Sequence, residues 1–307
     1  MNTATIDGDT SLMYACKSGL SDVAIELIRK GARADARNKE GDNPLMWSCY
    51  KGMTPVALAL IERGANVNAT NSHGVTPLIW ATNQGLADVC RALIENGADV
   101  NLKDTNGFCP LLNACYSSLI DIAFLLIESG ADVRCANKHG NTALSWAIAR
   151  GHEDLCRTLI ELGADVHREN SDGVCPLMLA VKEGLTGVVQ ELIKKGVDVD
   201  VESPLEGCVL LIACRERQED IAMILIEHHA RVHFTAKDGT TPLIIAAREG
   251  LERVCFALMR NGADVNAKTR ARVSPLLNAC FSCLSEVSLE LIRKGGNVNV
   301  KDKNWEL

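Results

Sequence analysis

Apolar residues along this chain come in two short bursts that recur every 33 residues. In the clearest stretch, Leu78 and Ala81 are followed by Val89, Cys90, Leu93 and Ile94, with polar residues between them. The spacing i, i+1, i+4, i+5 is that of one buried helix face. Each unit is therefore predicted to hold a short first helix and a second, more strongly amphipathic one. Thr76 and Pro77 stand where the first helix should begin, since a hydroxyl satisfies free amides there and proline's missing N–H is not needed. Gly85 and Gly97 follow the two helices, where the backbone turns left-handed. The glycine closing the unit recurs at Gly31, Gly64, Gly97, Gly130, Gly163, Gly196, Gly262 and Gly295, with His229 in the remaining slot. Nine consecutive units of one length imply a solenoid, in which each unit buries its apolar face against its neighbours alone.

The pattern G-x-TPL-x-x-A-x-x-x-G, then the helical stripe, then GADVN, resembles the ankyrin repeat over residues 1–302. That resemblance implies an all-α solenoid with short β-hairpin loops, stacked into a curved array with a concave binding face. Repeats are placed at about 5–37, 38–70, 71–103, 104–136, 137–169, 170–202, 203–235, 236–268 and 269–301, with 303–307 the start of a truncated further repeat or a tail. The family's usual histidine after TPL is missing throughout. Met13, Met46, Ile79, Leu112, Ser145, Met178, Leu211, Ile244 and Leu277 stand there, so apolar contacts should replace hydrogen bonds between repeats. The seventh repeat departs most: Glu206 replaces the turn glycine, Val209 the proline, and Arg217 and His229 the two helix-ending glycines. Cys208 also stands where threonine would cap. A soft seam is expected over 204–235.

Composition narrows the function. Hydrophobic residues make up 47% of the chain but aromatics only 4%, so aliphatic side chains must form the core. A net charge of −7 argues against nucleic acid as the partner. No apolar run approaches the length of a membrane span, and the start MNTATIDGDT has no signal-peptide core. The thirteen cysteines fall mostly on three repeat positions, where they read as small buried hydrophobes. Unpaired thiols in this number suit a reducing, cytoplasmic compartment. The Cys280–Cys283 pair has metal-binding spacing but no second ligand pair, so no metal or other cofactor is expected. His152-Glu153-Asp154 reads as a helix start, and no catalytic constellation emerges. The chain is read as a non-enzyme.

The resemblance implies that a protein partner contacts hairpin tips and the exposed side of the first helices. Carried onto this sequence, those slots include Glu40, Asp42, Tyr50 and Lys51 in the second repeat and His73 and Gln84 in the third. The fourth repeat places Phe108 and Tyr116 there, the fifth His139 and Arg150, and the ninth Phe281. Four of the eight Phe and Tyr residues thus fall in slots expected to face solvent: Tyr50, Phe108, Tyr116 and Phe281. They are read as partner contacts, the alternative being that they lie flat and extend the core. Trp47, Trp80 and Trp146 share another position and are read as packing between adjacent units. The expected function is a scaffold or adaptor that binds a protein on its concave face. The alternative is a regulatory ankyrin domain of a larger enzyme or channel. It is favoured by Val287, Leu289, Leu291 and Ile292 on the ninth second helix, which has no polar cap beyond it. This end is also the expected place for any self-association.

Overall fold

The computed structural model describes residues 5–203 and 206–299. The expectation for 303–307 lies outside them. Among the described residues there are eighteen helices and one two-stranded sheet. The chain divides into two compact units, Met1–Asp165 and Val166–Leu307.

The third repeat shows how the sequence builds each pair. Its first helix spans Pro77–Asn83; the Thr76 hydroxyl accepts a hydrogen bond from the Ile79 amide at 3.1 Å, and proline opens the first turn. After a left-handed Gly85 (φ 69°), the second helix runs Ala87–Glu95 and buries Val89, Cys90 and Leu93. Within the Met1–Asp165 unit, each first helix packs on the first helix of the next repeat, so Leu45, Leu78, Leu111 and Leu144 are fully enclosed. The Val166–Leu307 unit repeats this arrangement from Pro176–Lys182 to Pro275–Phe281.

The positions vacated by the family's histidine are apolar and sealed at Met13, Met46, Ile79, Leu112, Met178, Leu211 and Ile244. Ser145 does something different: its hydroxyl and that of Thr142 form a reciprocal capping box. Most hydrogen bonds between repeats lie instead in the loops, although the Asn278 amide also donates to the Ile244 carbonyl between two first helices. The Asn68 amide donates to the Gly97 carbonyl at 2.8 Å while its oxygen accepts from the Asp99 N–H at 2.7 Å, and Asn101 repeats the bridge to Gly130 and Asp132. The hairpins are tight turns closed by two backbone bonds, such as Asn71 N–H to the Val75 carbonyl and Gly74 N–H to the Asn71 carbonyl. Among the described residues, only Glu202–Ser203 and Gly207–Cys208 form a ladder.

The irregular seventh repeat pays its cost in the backbone, not in the core. Its first helix, Val209–Arg215, buries Val209 through Cys214 without a break, although Cys208 makes no cap bond. Arg217 (φ 58°) and His229 (φ 66°) hold the left-handed conformation that glycine holds in most of the other repeats; Ser118 (φ 59°) and Cys283 (φ 55°) share the slot of Arg217. A Cβ there costs roughly 1–2 kcal/mol, of which glycine's greater freedom in the unfolded chain returns part. Arg217→Gly is expected to stabilise the Val166–Leu307 unit by about 0.5–1 kcal/mol in urea denaturation. A loss of stability would mean that the arginine side chain contributes more than its backbone strain costs.

Candidate functional site

The candidate residues of repeats two to five are positioned by the loop ladder. Asn71 accepts hydrogen bonds from the amides of His73 and Val75, each at 3.0 Å, and its own amide group donates to the Asp42 carboxylate at 2.9 Å. Successive tips are joined by backbone bonds, from the Ser72 amide to the Glu40 carbonyl and from the Thr105 amide to the His73 carbonyl. Glu40, Asp42 and His73 are therefore held at one edge of the first helices Pro44–Tyr50 and Pro77–Asn83.

On those helices the aromatic residues meet. Tyr50 stands edge-on to Trp80 of the next repeat, with ring centroids 4.7 Å apart, and to Trp47 of its own helix at 5.9 Å. Two repeats on, Tyr116 stands edge-on to Trp146 at 4.8 Å. Such pairs add about 0.5–1.5 kcal/mol beyond the area they bury. The tyrosines remain 39% and 45% exposed, so their outer surfaces are open to a partner. Cations lie over three of these rings: Lys17 over Trp47 at 5.0 Å, Lys51 over Tyr50 at 5.2 Å and Arg150 over Tyr116 at 5.4 Å.

Glu40, Asp42, Met46, Trp47, Tyr50, Asn71, His73 and Trp80 line a cavity of about 230 Å³. The sequence assigned the tryptophans to packing between repeats, and Trp80 and Trp146 do pack that way. A second role of Trp47 and Trp80, as walls of the cavity, had no signal in the repeat pattern, because it depends on which neighbour Tyr50 leans against.

The predicted residues thus separate. Tyr50, Lys51 and His73 gather at the second and third repeats, Tyr116 and Arg150 at the fourth and fifth, and His139 is exposed at a loop tip. Phe108 departs from its expected solvent-facing place and is half-buried. Phe281 is 84% exposed and belongs to the other unit. His152 takes the N-cap position of Glu153–Glu161, but its side chain makes no cap bond there.

Eleven cysteines are buried; Cys280 and Cys283 are exposed. Burial pushes Cys16 up to about 12 and Cys90 up to about 11. Cys109 and Cys135 share a hydrogen bond that raises the first and lowers the second, yet Cys135 is only 2% exposed. The thiolate is the nucleophile and needs access. Native protein at pH 8 is therefore expected to show two fast thiols towards a disulfide reagent, the remaining eleven reacting after denaturation. A third fast thiol would reveal opening around Cys135. Among the described residues, no group of three or more His, Cys, Asp or Glu is placed to hold a metal ion, and no helix is long and apolar enough to cross a membrane.

Comparison with known families fits this architecture. A sequence model of three ankyrin repeats matches residues 1–71, 60–137, 80–170, 111–203, 177–269 and 210–302. The chain belongs to the ankyrin-repeat family, whose repeats are generally protein–protein interaction modules and typically non-catalytic. No curated protein matches the chain.

Proposed function

We propose that this protein is a non-catalytic adaptor that holds a protein partner on the face formed by its first helices and hairpin tips, centred on repeats two to five. The observation that carries this reading is the pair of exposed tyrosines, Tyr50 and Tyr116, each braced by a tryptophan of the following repeat. A braced ring offers a large contact area with little rotamer entropy left to lose, the usual character of an interface hot spot. Lys51, His73, His139 and Arg150 supply a polar rim, and Phe281 is a further contact on the second unit. A cytoplasmic setting suits the thirteen unpaired thiols.

The test is an affinity pull-down from source-cell lysate, comparing the wild-type chain with Tyr50→Ala/Tyr116→Ala checked for native circular dichroism. Half-buried Phe108 is left intact so that lost binding is not lost folding. A partner retained by the wild type and lost by the variant supports the reading. Equal recovery refutes the proposed face. The second reading, a regulatory domain of a larger enzyme or channel, draws support from Leu289, Ile292 and Val298, which are 47%, 45% and 63% exposed in the ninth repeat. Such an apolar surface suits coverage by another domain or by a second copy of the chain.

A further inference from the structure

We propose that the cavity between the second and third repeats is a socket for an arginine side chain of the bound protein. The proposal rests on the first-helix face being a protein-binding surface, and it specifies what one part of that face recognises.

The repeat supplies an internal comparison. Tyr50 with Trp80 and Tyr116 with Trp146 are the same pair of positions, 66 residues apart, with nearly the same centroid separation, 4.7 and 4.8 Å. In the later pair the chain's own Arg150 lies over the tyrosine at 5.4 Å. The slot equivalent to Arg150 in the third repeat holds Gln84, which is exposed and neutral. Around the earlier pair the surroundings are also more acidic: Glu40 stands where the fourth repeat has Asn106, and Asp42 where it has Phe108. Trp47 replaces Asn113 and adds a third ring. So the later aromatic pair carries the chain's own guanidinium, whereas the earlier one carries only an ammonium, Lys51 on Tyr50, and adjoins an open cavity walled by three aromatic rings and edged by two carboxylates.

The chemistry of those walls selects a cation with a flat face. Aromatic faces attract cations through their quadrupoles, and a guanidinium also stacks on them, being more weakly hydrated than an ammonium. Asp42 is committed to Asn71, whereas the Glu40 carboxylate has no hydrogen-bond or ion-pair partner among the described residues. Glu40 is the group left to receive the N–H fork of an incoming arginine. Lys17 and Lys51 show that Trp47 and Tyr50 already draw cations, but neither lysine lines the cavity.

The test titrates the full chain with N-acetyl-arginine methylamide and follows the tryptophan indole N–H resonances. Saturable shifts of the Trp47 and Trp80 signals are expected, with a dissociation constant on the order of millimolar. The citrulline analogue, equal in shape but uncharged, should bind at least about tenfold more weakly, since it lacks the cation that the rings attract. Glu40→Gln should weaken arginine binding about threefold, as befits a partly exposed pair. Gln84→Arg should block the probe by supplying in cis the cation that Arg150 supplies two repeats later. Citrulline binding as tightly as arginine, the lysine or trimethyllysine derivative binding more tightly, an unaffected Gln84→Arg, or no saturable shift would each overturn the proposal. A pull-down that still depends on Tyr50 and Tyr116 while the arginine probe fails would leave the adaptor reading standing and reject the socket alone.

Discussion

Leu111→Ala is expected to destabilise the Met1–Asp165 unit by about 2–5 kcal/mol, the range for emptying a fully enclosed leucine site. Leu111 has no exposed surface and sits on the helix Pro110–Tyr116, which packs against the first helices on either side of it. Its removal therefore leaves a void facing two repeats at once. Losing a helix cap such as Thr76 would cost about 0.5–2 kcal/mol, the range for removing a single side-chain cap. In a solenoid each repeat touches only its neighbours, so the effect should be local. Urea denaturation measures the total, and hydrogen exchange should place the largest loss of protection in repeats three to five. A loss below about 1 kcal/mol would mean that the neighbouring helices close over the site.

The second large effect is on binding. Each tyrosine of Tyr50→Ala/Tyr116→Ala is expected to cost at least about 2 kcal/mol of partner affinity if it is a hot spot, roughly thirtyfold in Kd. The two lie 66 residues apart and contact different tryptophans, so their effects should be close to additive and the double variant about a thousandfold weaker. Removing the rim cation in Lys51→Ala should cost only about 0–1 kcal/mol, because an exposed charge in water gains little. Folding should survive, since both tyrosines are partly exposed and contribute mainly an edge contact to the indole beneath. The measurement is calorimetric titration of the recovered partner against the single and double variants. A larger loss from Lys51→Ala than from either tyrosine would point to an electrostatic surface instead of an aromatic one.

What could be read along the chain was whatever repeats along the chain. The helix start at Thr76, the left-handed turns, the apolar stripe and the burial of Cys16, Cys90 and Cys255 all depend on residues a few positions away and on the same environment recurring every 33 residues. The seventh repeat's misfit at Arg217 and His229 was equally visible, because a glycine slot filled by another residue can be read without knowing its neighbours. The site was legible only in outline. Tyr50 and Tyr116 are exposed, as their slots implied, but Phe108, assigned to the same surface, is half-buried. The cavity was not legible, since it arises between repeats, where Tyr50 turns edge-on to Trp80 and Asn71 draws Asp42 into place. Local propensity and periodicity act within one repeat and so leave a trace in its sequence. The choice of which side chain leans on which across the gap, and how much space that leaves, is made by packing between repeats, and no single repeat contains it.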